Sequence, residues 1–179
     1  MNVKKAMDDM GYCRVIVTNY ANKGVLRKCD PEIHERYMQK SVHNLDFANY
    51  LMEENDKIMK KLDMTVYEWC MVVYYYALYH SALALLSKAG YESKGHTATI
   101  AAIILIYYHK EKTLTRDDIQ LIASNLGIDR DDISFISDSK DMRERASYGI
   151  GGGFESELAA RTRGRTVKFI QKVREVLKE

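Results

Sequence analysis

Residues 66–90, VYEWCMVVYYYALYHSALALLSKAG, are apolar on nearly every side over the length of a long helix. Such a helix keeps no full face for water, so it is expected in the middle of a bundle with other helices around it. A second stretch, ATIAAIILIYYHK at 98–110, reads as another mostly buried helix. The chain has one proline and few runs that alternate like a strand. The fold class these features predict is all-α, an up-and-down bundle of about five to seven helices.

The remaining elements follow from periodicity and caps. Val3, Ala6, Met7, Met10, Val17, Tyr20 and Ala21 recur at helical spacing and predict an N-terminal helix over 1–24, with Gly24 at the left-handed stop; VIVT at 15–18 also reads as strand. Asp30 and Pro31 make a helix opening, and Ile33, Tyr37, Leu45, Ala48 and Met52 carry that helix to about Lys61. Thr65 and Glu68 have the spacing of a capping box in front of the buried helix, which Gly90 ends. ESKGHTAT reads as a polar turn. Thr115 with Asp118 starts a short helix that Gly127 ends, and Asp129 starts another running towards Tyr148. Leu158, Thr162, Phe169, Val173 and Val176 mark one face of a final helix. Neither an internal repeat nor a long linker divides the 179 residues, so one domain over 1–179 is expected.

Composition narrows the function classes. The chain is 46% hydrophobic and 29% charged, in the globular range, and a net charge of +2 provides no global attraction to nucleic acid, so any such role needs a local patch. Cys13, Cys29 and Cys70 are widely spaced with no Cys-x-x-Cys, which speaks for a reducing compartment and against a disulfide frame or a zinc site. The N-terminus lacks an apolar signal core, and TATIAAIILIYYH falls short of a membrane span; a soluble, cytoplasmic protein is expected.

Four places offer chemistry. DMRERASYGIGGG at 141–153 sets Arg143, Arg145 and Tyr148 at a helix end ahead of glycines, where cationic forks and a phenol can hold a phosphate or simply fasten a surface corner. Lys94 and His96 stand where a buried helix begins, a place suited to an anion and equally to a plain cap by Ser93 or Thr97. In the last helix Arg161, Arg165, Lys168 and Lys172 fall at i, i+4, i+7 and i+11. They form one cationic stripe that can track a phosphate backbone or serve as a solvated face. Tyr74, Tyr75, Tyr76, Tyr79 and His80 crowd two turns, either as a ligand box or as core and dimer-face packing. No second metal-ligating residue stands at ligand spacing near His80, and neither a metal nor a cofactor is implied.

Taken together, YYYALYHSALALLSKAGYESKGHTATIAAI, RERASYG and the last helix resemble the HEPN domain family, from about Gly24 to Leu177 and closest to its archaeal and bacterial branch. The resemblance implies an α-helical bundle that is commonly dimeric. Active members of that family are metal-independent RNases with an arginine, four to six residues of any kind, and a histidine near the end of the helix before the last. Chemically, the arginine holds the scissile phosphate while the histidine carries the proton. Arg143 matches the arginine, but Tyr148 stands five residues later and no histidine follows Arg143. The same loose spacing also fits Arg27 with His34 and Arg36 with His43, away from the family position and read as chance matches.

The expectation is therefore a non-catalytic HEPN-like homodimer that binds a nucleotide, RNA or a protein partner. The resemblance implies one such partner, a minimal nucleotidyltransferase in a toxin–antitoxin module; in that setting the position of Tyr148 before the glycines suits it as acceptor of a nucleotidyl group. Two alternatives stand beside it. One is a metal-independent endoribonuclease using Arg143 with His96; the other is a structural dimer without a ligand.

Overall fold

The computed structural model of the protein describes residues 1–126 and 152–178. Among them are seven α-helices and one two-stranded sheet, an all-α helical bundle as expected. In chain order these are α1 (Val3–Asp8), α2 (Met10–Asn22), β1 (Leu26–Lys28), α3 (Ile33–Leu62), α4 (Tyr67–Lys88), β2 (Tyr91–Ser93), α5 (His96–Ile103), α6 (Arg116–Asn125) and α7 (Gly152–Lys178). Between α5 and α6 the helix continues as a π-helical stretch, Ile104–Lys110.

The frame is an antiparallel hairpin of α3 and α4, with α7 laid against α4. Side-chain hydrogen bonds run along the hairpin. Ser41 Oγ donates to the Ala77 carbonyl at 2.7 Å, the Tyr74 hydroxyl donates to Asn49 Oδ1 at 2.8 Å, and the Val66 amide donates to Asn55 Oδ1 at 3.0 Å. The largest apolar cluster joins Leu78, Ala82 and Leu85 of α4 to Ile100 and Ile103 of α5, Ile119 and Ile122 of α6, and Phe169 and Val173 of α7. Helix α4 is long and apolar enough to cross a membrane by length and composition, contrary to the expectation that no segment would be. Sixty-one per cent of its most apolar window is buried inside the protein, so that surface is covered by neighbouring helices, as in a soluble bundle.

Several boundaries differ from the local reading, each because another group satisfies the backbone. The N-terminal helix is two helices: Asp9 is extended at φ −129°, and its carboxylate caps α2 by accepting the Tyr12 amide at 3.0 Å. VIVT lies inside α2. Asp30 and Pro31 form a turn before α3, the Asp30 carboxylate accepting the Glu32 amide, and the helix starts at Ile33. Helix α4 has Val66 at its N-cap, and Asn55 reaches across from α3 to take the Val66 amide. The stretch ESKGHTAT, expected as a turn, begins inside β2 and ends inside α5, and β2 pairs antiparallel with β1 through Leu26–Ser93, Arg27–Glu92 and Lys28–Tyr91. At the other sites local signals suffice. Gly24 and Gly90 take positive φ, and Thr115 and Asp118 form the full capping box of α6. The segments expected to end at Gly127 and to run from Asp129 towards Tyr148 lie outside the described residues.

Candidate functional site

The β1–β2 pair fixes where α5 begins. Ser93 Oγ donates to the Gly95 carbonyl at 3.0 Å and accepts the Gly95 amide at 3.2 Å, and Gly95 is the N-cap of α5 without a side-chain cap. His96, the first residue of α5, points to α4. Its Nε2 lies 3.0 Å from the Tyr75 hydroxyl, and the Tyr79 ring meets it edge-on at 4.6 Å between centroids. Tyr75 and Tyr79 are one helical turn apart, which brings both to the same imidazole. Burial lowers the His96 pKa below its ordinary value, and a hydrogen bond with the Leu126 main chain opposes that shift only in part. At neutral pH the ring is therefore uncharged. Lys94 stands two residues earlier and is exposed. Lys94 makes no ion pair with the described residues, whereas His96 is engaged on two sides.

His80 is held in the same manner on the other flank of α4. Asn44 Nδ2 lies 3.0 Å from its Nδ1, and Tyr37 and Tyr76 stack on it with centroids at 6.4 and 6.3 Å. Burial first, then the nearby Lys40, lowers its pKa. Tyr74 is fully buried, and burial raises its hydroxyl to about 12. The tyrosine cluster is thus mainly packing and hydrogen bonding between helices, with Tyr76 left half exposed. Among the described residues no three His, Cys, Asp or Glu side chains gather as a metal site.

Helix α7 separates its charges by face. Thr162, Thr166, Phe169, Ile170, Val173 and Val176 are buried against the bundle. Arg163 turns to α3 and reaches Glu53 at 3.3 Å, and Lys172 lies 4.0 Å from Glu175. Arg161, Arg165 and Lys168 are exposed, and among the described residues no carboxylate pairs with them. They extend over ~10 Å of helix axis. Of the four-residue stripe, three cations are exposed and without a carboxylate partner among the described residues.

Arg143, Arg145 and Tyr148 lie outside the described residues. Arg27 donates through Nε to the Gly24 carbonyl at 2.6 Å, and His34 Nδ1 sits 2.7 Å from the Pro31 carbonyl, so this pair serves the turns around α3. The link between Tyr75 and His96 escaped the sequence reading, which had both residues but assigned them to separate features. Their distance depends on how α4 and α5 pack, and nothing in local spacing encodes it.

No protein-family model matches the chain. A UPF0332 protein of Archaeoglobus fulgidus is 33% identical over 115 residues, which cover 64% of this chain and 79% of that protein. An identity of this level over most of the relative, on a chain whose apolar pattern folds into a helical bundle, makes this protein a member of the UPF0332 family.

Proposed function

We propose that this is a HEPN-like bundle protein that binds RNA without cleaving it, through Arg161, Arg165 and Lys168 of α7. The observation that carries the reading is that these three cations are exposed and unpaired among the described residues, while Arg163 and Lys172 of the same helix have carboxylate partners. Free cations in a row attract a phosphate backbone by releasing its counterions. The YYYALYHSALALLSKAGYESKGH pattern and the helical fold support the HEPN-like part. The absence of cleavage is supported by His96, whose ring is engaged by Tyr75 and Leu126, and by the lack of any histidine after Arg143. Half-exposed Phe47, Trp69 and Tyr76 on α3 and α4 support a homodimer, and three free thiols support a reducing, cytoplasmic setting. The nucleotidyltransferase partner rests on the resemblance and on Tyr148, outside the described residues.

The test is fluorescence anisotropy of a labelled single-stranded RNA across a salt series. Three phosphate contacts predict a log–log slope of about −2 for a single strand. The Arg161→Gln, Arg165→Gln, Lys168→Gln variant is expected to lose most of that slope. Unchanged binding by the triple variant overturns the reading. RNA cleavage in EDTA that vanishes in His96→Ala would replace it with the metal-independent endonuclease.

A further inference from the structure

A groove of about 520 Å³ lies between the first turns of α3 and the last turns of α7. Its α3 wall runs from His34 to His43, ~13 Å along the helix axis. The floor is made by Met38, Val42 and Leu177, each only partly buried and so left with surface to cover. No Phe, Tyr or Trp is among the described residues that line it. Arg174 and Lys178, one turn apart on α7, stand exposed on the rim, and neither makes an ion pair with a described residue. Glu35 is the only acid among the described lining residues. With the histidines counted neutral, two cations against one carboxylate leave an excess of one positive charge on the rim.

We infer that this groove binds a medium-chain aliphatic carboxylate, with the carboxylate on Arg174 and Lys178 and the alkyl chain along Met38, Val42 and Leu177. The volume is in the range of small-molecule sites, about 300–1,000 Å³. The rim selects the head group. Its excess of one positive charge matches a monoanion, the Arg174 guanidinium fork fits the two oxygens of a carboxylate, and Lys178 adds a point charge from the next turn. The floor selects the body. A flat aromatic ring is held best by stacking on other rings, whereas Met, Val and Leu cover a flexible hydrocarbon through apolar area alone. Carbon–carbon bonds of about 1.5 Å advance an extended chain by ~1.3 Å per carbon, so about ten carbons span the α3 wall. A short anion would leave the floor wet, and an uncharged chain would leave the cations without a counter-charge.

The site uses none of the cations of the stripe at Arg161, Arg165 and Lys168, and the two readings fail separately. Isothermal calorimetry of the full-length protein would titrate butanoate, octanoate and decanoate, with 1-octanol as the probe without charge and AMP as the probe with a ring and a phosphate. Saturable one-site binding is expected for octanoate and decanoate, tightening about two- to fourfold for each added methylene. Binding of 1-octanol should be weaker than that of octanoate by about tenfold or more, since both charged contacts are missing. Arg174→Met with Lys178→Met should bring octanoate down to the level of 1-octanol, and Met38→Gln should flatten the dependence on chain length. Arg161→Gln with Arg165→Gln should leave octanoate unchanged. Arg174 and Lys178 are exposed, and circular dichroism checks that the helix content of each variant is intact. No saturable binding of either longer acid, affinity independent of chain length, 1-octanol binding as tightly as octanoate, unchanged affinity in the Arg174, Lys178 variant, or AMP binding more tightly than decanoate would each overturn the site, whatever the RNA titration shows.

Discussion

Truncating Asn55 tests whether α4 is started by a side chain of another helix. Asn55 is 4% exposed, and its Oδ1 accepts the amide of Val66, itself 6% exposed, at 3.0 Å. The N-cap residue of α4 makes no side-chain cap bond of its own. Asn55→Ala therefore strands a buried donor, which costs about 1–3 kcal/mol, and leaves a small void that adds to it. A loss of ~2 kcal/mol is expected, or a fall in Tm of about 4–8 °C for a chain of this size. Urea unfolding followed by circular dichroism at pH 7 measures it, with the midpoint lowered and the slope unchanged. Asn44→Ala is the control. Its partner His80 is only half-buried, so water can replace the amide and the cost should stay below ~1 kcal/mol. If Asn55→Ala costs less than ~0.5 kcal/mol, or no more than the control, water caps α4 as well as Asn55 does and the argument fails.

Two glycines should respond with opposite signs. Gly164 is exposed inside α7 with nothing within 4 Å of an added Cβ, so Gly164→Ala should stabilise by ~0.5–1 kcal/mol; Gly90 has φ +79°, and Gly90→Ala should cost ~1–2 kcal/mol through strain alone, since the nearest atom to its Cβ is 3.9 Å away. Thermal melts of both variants read the difference. Stability should also fall in acid. His80 and His96 have lowered pKa values, so the unfolded chain binds protons first, and stability declines as pH drops from about 6.5 through the lower folded values. Urea midpoints at pH 8 and pH 5.5 should differ less in the His80→Gln, His96→Gln variant than in the parent protein.

The sequence by itself determined the elements whose signals are short-range. The apolar run at 66–90 could only be an interior helix, and it is α4. The glycines at 24 and 90 mark left-handed stops, and Thr115 with Asp118 closes its own capping box, because each needs atoms no more than a few residues apart. The exposed cations of α7 were also legible, as a spacing of like charges, although Arg163 and Lys172 find acids that no spacing announces. Tertiary structure alone decided the rest. Residues 26–28 pair with 91–93 across some sixty intervening residues, and that pairing places His96 against Tyr75. Asn55 of α3 takes the Val66 amide at the start of α4, and the groove beside Arg174 exists only where α3 passes the end of α7. Contacts of this kind are set by the packing of whole helices, and a local pattern carries no record of which distant groups that packing brings within hydrogen-bond reach.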